Sequence, residues 1–292
     1  SDVGDHAVEL VVTDSYDQID TQSFTISVAN VNDAPTFTST PIITATQDVL
    51  YAYNITSSDP DTGETLTITA TTKPEWLTLS DNGDGTAVLS GTPGNSDVGD
   101  HAVELVVTDS YDQTETQNYT ITVANVNDTP TDITLSNNSV PENDPISSLV
   151  GTFSTDDPDG NTAFTYTLVS GIGDTDNDSF TIDEDQLQIL EVFDYEIQSI
   201  YYIRVSSTDE GGLSFEKEFI ITVTDVNETP FFSSTPIITA TQDVLYTYNI
   251  ACSDPDASDS LVITATTKPD WLALTDNGDG TASLSGTPGL ID

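Results

Sequence analysis

With 50 Asp and Glu against 4 Lys and Arg in 292 residues, the chain carries a formal charge of −46. Nothing basic is present to neutralise phosphates, which excludes nucleic acid and anionic membrane surfaces as partners. The chain is nevertheless 36% hydrophobic with 11 Tyr, 10 Phe and 2 Trp, so it is expected to fold, its self-repulsion relieved by cations or ionic strength.

The single cysteine, Cys252, excludes an internal disulfide. It shares parity with Tyr246, Tyr248 and Ile250, which predicts a small buried hydrophobe. No apolar run is long enough to span a bilayer, and this stretch holds no signal or lipidation motif. Both ends fall inside repeating modules, so such segments would lie elsewhere in a longer polypeptide.

Comparison of the chain with itself sets its organisation. SDVGDHAVELVVTDSYDQ occupies Ser1 to Gln18 and recurs unchanged at Ser96 to Gln113, and Phe37 to Asp61 returns at Phe232 to Asp256 with 21 of 25 positions identical. The expected order is the closing part of a type A module (1–35), a complete type A module (36–130), a different type B module (131–230) and the opening part of another type A module (231–292).

Type A reads as all-β. YAYNI, TLTITATT, AVLSG, HAVELVVTD and QNYTITVAN alternate apolar and polar residues between turn clusters such as DPDTGE and DNGDG. Tyr119, Ile121 and Val123 are expected to face inward. Trp76-Leu77, repeated as Trp271-Leu272, read as a core pin beside a proline turn. Type B alternates in the same way through FTYTLV, SFTIDEDQLQIL, IYYIRVSSTD and FEKEFIITVTD, with Phe219, Ile221 and Val223 on one face. Regular short strands separated by turns predict β-sandwiches of immunoglobulin-like proportions, in tandem, as an extended rod.

A short stretch closes each module: VANVNDAP (Val28–Pro35), VANVNDTP (Val123–Pro130) and VTDVNETP (Val223–Pro230). Each supplies Asn, Asp or Glu oxygens at alternate residues and ends in a strand-stopping proline, the chemistry of a calcium-binding linker. DNGDG at Asp81–Gly85 and Asp276–Gly280 reads as a hairpin turn. DTDND at Asp174–Asp178 is either an extra surface ion site or a solvated loop. The sequons at Asn54 and Asn118 are expected by chance in a chain so rich in Thr and Ser.

Residues 131–230 resemble a cadherin repeat. The carrying motifs are Pro141-Glu142-Asn143, Asp157-Pro158-Asp159 with Asn161, Asp194-Tyr195-Glu196, Asp209-Glu210-Gly211-Gly212 and Asp225-Val226-Asn227-Glu228, in family order. Type A is similar to the dystroglycan-type cadherin-like module of large bacterial surface proteins, through Asp59 and Asp61, Trp76-Leu77, Ser90–Pro93, Asp97–Gly99 and Val107–Ser110. It departs from the cadherin pattern where Gln47-Asp48 replaces PEN and where Asn95-Ser96-Asp97 only approximates DxE.

The resemblance implies Ca2+ between modules, because six to eight oxygens are needed and a linker alone cannot supply them. After type B the implied ligands are Glu142, Asp194, Glu196, Asp225, Asn227 and Glu228 from one module, with Asp254 and Asp256 from the next. At the preceding junction Asp97, Asn125, Asn127 and Asp128 would meet Asp157, Asp159, Asn161 and Asp209. At the first, Asn30, Asn32 and Asp33 would face Asp59, Asp61 and Asp109. Neutral Asn30 and Asn125 replace the first linker Asp, so these two junctions are expected to hold fewer ions.

An enzyme is not expected. His6 and His101 are one repeat position seen twice, no nucleophile with a base can be assembled, and the carboxylates cluster at loops rather than a cleft. The leading expectation is a structural, calcium-rigidified segment of a long extracellular cell-surface protein of bacterial type. Its partners would be neighbouring modules, other copies of itself and a glycan or protein at a distant end. One alternative is a module that binds glycan or protein directly. Another follows from the split type A module, since GTPGLID would run into SDVGD. Either the chain is a window of a continuous array, or copies complete one another's sandwiches head to tail.

Overall fold

Alternation of apolar and polar residues with a period of two leaves no helical face, and the computed structural model, which describes residues 2–290, is all-β. Among the described residues the only helical elements are short 3-10 turns at Asn95–Asp97 and Asn177–Ser179. The chain divides into two units between Asn127 and Asp128. The expected join of GTPGLID to SDVGD involves Ser1, Ile291 and Asp292, which lie outside the described residues.

The first unit opens with β1 (Gly4–Thr13) and β2 (Ile19–Val28), an antiparallel hairpin without a further strand. It continues through β3 (Thr36–Phe37), β4 (Thr44–Thr46), β5 (Tyr51–Ser58), β6 (Thr67–Thr72), β7 (Thr78–Asp81), β8 (Thr86–Gly91), β9 (Gly99–Thr108) and β10 (Thr114–Ala124). These form two sheets, β3-β5-β8-β7 and β4-β10-β9-β6, in which β4 runs parallel to β10. Tyr53, Ile55, Leu77 and Leu89 of one sheet and its connections meet Ile68, Leu105, Val107 and Ile121 of the other in one core. Tyr119, Ile121 and Val123 point into it, as the alternation predicts.

Trp76 is half-buried and packs edge-on against Tyr51 at 5.8 Å and His101 at 6.1 Å. The His101 Nε2 atom lies 2.6 Å from the Asp97 carbonyl oxygen. The imidazole therefore belongs to the packing around the tryptophan. Gly91 explains the Ser-Gly-Thr-Pro motif, because a Cβ there would fall on the Trp76 carbonyl, and Gly286 meets Trp271 in the same way.

The second unit holds β11 (Asp132–Leu135), β12 (Ser139–Pro141), β13 (Leu149–Asp156), β14 (Thr165–Leu168), β15 (Phe180–Asp183), β16 (Gln186–Ile189), β17 (Ile200–Thr208) and β18 (Ser214–Thr224). Its sheets, β11-β13-β16-β15 and β12-β18-β17-β14 with β12 parallel to β18, repeat the topology of β3–β10 strand for strand. Different sequences thus build one architecture. The core is more aromatic here: Phe193 packs against Tyr201 at 4.3 Å and Phe180 at 5.5 Å.

After β19 (Phe231–Phe232), β20 (Tyr246–Ser253), β21 (Leu272–Asp276) and β22 (Thr281–Gly286) form one further sheet, order β19-β20-β22-β21. Its small core contains Tyr248, Ile250, Ile263 and Ala282. Cys252, expected to be buried, is half-buried against this core, and its thiol donates to the Gly280 carbonyl at 3.2 Å. Its counterpart in the complete module, Ser57, is half-buried as well.

The few cations all hold backbone or acid groups. Lys73 and Lys268 donate to the Leu77 and Leu272 carbonyls at 2.6 and 2.8 Å. Lys217 holds Asp132 at 2.6 Å, and Arg204 holds Glu216 at 3.0 Å. DNGDG is the expected hairpin turn, with Gly83 and Gly85 at positive φ and the Asn82 N–H donating to the Thr86 carbonyl. Two of the three DTDND carboxylates are spent on the fold: Asp174 accepts from the Gly171 N–H, and Asp176 from the Tyr202 N–H.

Candidate metal-binding junctions

The acidic groups gather most densely where β18 runs out at Thr224. Glu142 follows β12, which lies beside β18, and is 2% exposed. Its Oε1 accepts from the Val226 N–H and its Oε2 from the Tyr195 N–H, both at 2.8 Å. The carboxylate thereby ties the linker to the loop that carries Glu196. Ligand atoms of Glu142, Glu196 and Asp225 lie within 4.8 Å of one another, as do those of Glu196, Glu228 and Asp256, and those of Asp254, Asp256 and Asp259. The linker docks on the following segment through the Glu228 N–H, which donates to Asp256 Oδ2 at 2.8 Å. The Asn143 side-chain amide steadies Glu228 by donating a hydrogen bond to its Oε1 at 3.0 Å.

Electrostatics in this cluster are adverse without a cation. Burial, contact with the Asp256 carboxyl and the nearby Glu142 and Glu228 charges push Asp225 above the usual carboxylate range. Burial raises Glu196 as well, with further contributions from Glu142, Glu228 and Asp225. Of the remaining implied ligands, Asp194 spends Oδ1 on the Ile197 N–H at 3.0 Å and lies outside the three groups, and Asn227 turns its amide to the Glu228 carbonyl. Asp259, which the sequence reading stopped short of, belongs to a group.

The first linker has the same layout in carboxamide form. Asn30 donates to Asp61 Oδ1 at 2.8 Å, Asn32 to Asp109 Oδ2 at 2.7 Å, and the Asp33 N–H to Asp61 Oδ2 at 2.8 Å. Asp59 Oδ1 caps the Asp61 N–H at 2.7 Å. Burial pushes the Asp109 carboxyl up, but the Asn32 amide and the Gln113 and Tyr111 N–H groups outweigh it and hold Asp109 below the usual range.

The second linker is described from each unit separately. In the first unit Gln47, 2% exposed, accepts from the Val126 N–H at 3.2 Å. It stands where Glu142 stands in type B, and both are followed by a residue at positive φ, Asp48 and Asn143. Glutamine has thus replaced the buried acid at this position. Asp97 caps the Gly94 N–H at 2.9 Å. In the second unit the Asp128 N–H donates to Asp159 Oδ2 at 2.6 Å, Asp157 Oδ1 accepts from the Asp159 N–H, and the buried Asp209 accepts from the Leu213 N–H. No bond of Asn125 or Asn161 enters these sets.

Buried oxygens without a hydrogen-bond donor concentrate at the same residues. Among the described residues, eight buried side-chain polar atoms have no partner. Six are Asn32 Oδ1, Asp59 Oδ2, Asp157 Oδ2, Asp159 Oδ1, Glu228 Oε2 and Asp256 Oδ1, all on implied ligands. Every one is an acceptor, so what would satisfy them is a donor or a cation.

Comparison with known proteins agrees with the architecture. Residues 136–224 match the family model described as Cadherin domain, and residues 34–124 that described as Putative Ig domain. Over 98% of its length the chain is 25% identical to human Protocadherin Fat 1, of which it spans only 6%. The Protocadherin GammaB4 extracellular domain superposes with a TM-score of 0.68 at 18% identity, over 100% of this chain and 51% of that one. Protocadherin gammaB7 EC3-6, in a cis-dimer structure, gives 0.68 at 16% identity over 99% and 78%. Mouse Cadherin-23 EC22-24 gives 0.54 at 17% identity over 90% and 91%. The fold is that of tandem cadherin-like β-sandwich repeats.

Proposed function

We propose that this chain is a calcium-ordered segment of an extracellular adhesion-type surface protein, divided into modules at 1–35, 36–130, 131–230 and 231–292. The observation that carries the reading is the set of donorless buried oxygens on Asn32, Asp59, Asp157, Asp159, Glu228 and Asp256. Burying such oxygens without a partner costs about 1–3 kcal/mol each, more for a charged group, and a divalent cation removes that cost at several of them together. Glu142, Glu196, Asp225, Glu228, Asp254, Asp256 and Asp259 would hold calcium after the type B module, residues 131–230. The ion supplies positive charge and a shared coordination shell, coupling order of the linker to metal.

The first junction, built on Asn30, Asn32, Asp33, Asp59, Asp61 and Asp109, offers a less acidic set. Unchanged copies such as Ser1–Gln18 and Ser96–Gln113 suit a repeat-built bacterial surface protein, the source that the dystroglycan-type resemblance suggests. The alternative of direct glycan binding calls for an exposed aromatic platform. Tyr16 and Tyr111, 84% and 68% exposed, stand singly at hairpin tips.

Calorimetric melting and terbium luminescence on the 292-residue chain test the reading. Calcium should raise the melting temperature and displace terbium, with Asp256→Asn losing most of the effect. Equal melting in calcium and in chelator would overturn it.

A further inference from the structure

The two complete modules share one topology, so positions of β9–β10 and β17–β18 can be matched through the ladder: Ile121 lies opposite His101 as Ile221 lies opposite Tyr201. Inward positions are apolar in both modules, because each fills a core. Outward positions differ. Type A carries Asp100, Ala102 and Thr120, whereas type B carries Ile200, Tyr202 and Ile220 at the same three places, 45%, 44% and 50% exposed. Tyr202 and Ile220 are direct cross-strand partners, and Ile200 is the next residue of β17 on that face, so the three are contiguous. They add nothing to the core, and the polar face of type A shows that the architecture forms without them.

A loop walls this patch on one side. Arg204 Nη1 donates to the Ile172 carbonyl at 3.1 Å, and a Cβ at Gly171 or Gly173 would fall 2.8 Å from Arg204 Cδ or 2.6 Å from Glu218 Cδ. Segment 171–173 therefore crosses the sheet at the level next to Tyr202 and Ile220, and Ile172 stands there 84% exposed. Acid outweighs base around the floor. Arg204 is shared between Glu216 at 3.0 Å and Glu218 at 3.6 Å, and Asp176 accepts from the Tyr202 N–H at 2.8 Å. The chain as a whole carries −46, so a second copy would be repelled, whereas a ligand with basic groups would be attracted.

We propose that this outer face of β17–β18 docks a basic segment of a partner protein. One or two apolar side chains of that segment would rest on Ile200, Tyr202 and Ile220 beside Ile172, with flanking Lys or Arg groups reaching Glu216 and Glu218. A tyrosine among aliphatic neighbours is the composition of an interface anchor, and the acidic rim sets approach and register. The site belongs to type B alone, because type A presents no apolar floor at the matched positions. It does not rest on the calcium reading, since none of these side chains enters a ligand group.

Calorimetric titration of the 292-residue chain in about 0.15 M salt with two peptides of equal charge, Lys-Lys-Leu-Lys-Leu-Lys-Lys and Lys-Lys-Ser-Lys-Ser-Lys-Lys, separates docking from general attraction to acid. In an extended peptide both leucines share one face. The leucine peptide should bind about 10-fold or more tightly, the gain expected for partial burial of two such side chains. Tyr202→Ala with Ile220→Thr gives type B the exposed side chains of type A and should erase the difference, with an unchanged melting curve as the check on folding. Tyr111→Ala, which removes an exposed aromatic elsewhere, should leave the difference intact. In the unaltered chain the leucine peptide should shift the amide resonances of β17 and β18 and spare those of β9 and β10. Equal binding of the two peptides, a difference that survives in the double variant, or shifts confined to other strands would overturn the proposal. So would a mass of twice 31.2 kDa without peptide that the double variant abolishes, because the face would then belong to a second copy.

Discussion

Replacing Glu142 with Gln probes the most deeply buried acid of the junction. Both carboxylate oxygens accept backbone N–H groups at 2.8 Å, from Tyr195 and Val226, in a site 2% exposed. A carboxamide keeps one acceptor and turns an NH2 toward the other donor, so one hydrogen bond to a charged group is lost, about 1.5–3 kcal/mol. Relief of repulsion with Glu196 and Asp225 offsets part of this in chelator. In calcium there is no such relief, and an anionic ligand is lost. If affinity falls about 10–100-fold, saturating calcium contributes about 1.4–2.7 kcal/mol less than before. Calorimetry of Glu142→Gln and unaltered chain, each with calcium and with chelator, gives the four melting temperatures needed. The increment due to calcium should shrink in the variant beyond the loss seen in chelator. Equal increments would show that Glu142 shapes the linker and has no part in holding an ion.

Leu105→Ala should destabilise its module by about 2–5 kcal/mol, whereas Leu10→Ala, at the identical repeat position, should cost under about 0.5 kcal/mol in dilute chain; similar losses in denaturant titration would contradict the exposure of β1. Gly91→Ala should cost about 1–3 kcal/mol by driving a Cβ onto the Trp76 carbonyl, with Gly94→Ala, which meets no atom nearer than Asp97 Oδ2 at 3.9 Å, as the tolerated control. Asp225 and Glu196 bind protons more tightly folded than unfolded, so their charged forms oppose folding at neutral pH, and stability in chelator should rise as pH falls through their raised values toward the ordinary carboxylate range near about 4. Asp225→Asn should flatten that rise, and an unchanged slope would count against the cluster. Gln47→Glu should lower the melting temperature by burying a charge at a position 2% exposed; an unchanged melting temperature would contradict the burial of this side chain.

The sandwich was legible because period-two alternation marks the inward residues directly, as at Tyr119, Ile121 and Val123. Repeats fixed which strands correspond. Gln47-Asp48 was legible as the replacement for Pro-Glu-Asn, but the burial of Gln47 was not, because it follows from the parallel pairing of β4 with β10, a long-range contact. The shared residue at positive φ after Gln47 and Glu142, Asp48 and Asn143, is a backbone signal that composition hides. Asp194 and Asp97 show that a motif does not disclose local capping: one oxygen of each accepts an N–H, from Ile197 and Gly94. Asp259 was missed because reading stopped at the Asp-x-Asp pair.

The first and last junctions differ in chemistry more than in layout, and this difference decides where metal matters most. In both, a linker N–H binds the second Asp of the Asp-Pro-Asp loop, Asp33 to Asp61 and Glu228 to Asp256, each at 2.8 Å. Beyond that contact, Asn30 and Asn32 bring donors to Asp61 and Asp109, which leaves Asn32 Oδ1 and Asp59 Oδ2 as the buried oxygens without a donor. After the type B module Asp225 and Glu228 bring more carboxylate to Asp256, Glu142 and Glu196, and the donors there, the Asn143 amide and the Tyr195, Val226 and Glu228 N–H groups, carry no charge to offset it. A junction bridged by carboxamides keeps more of its order when cations are scarce, whereas one this rich in carboxylates must lose order or take up protons. Calcium withdrawal should therefore loosen the chain first around residues 225–259 and leave the contacts of residues 30–61 in place.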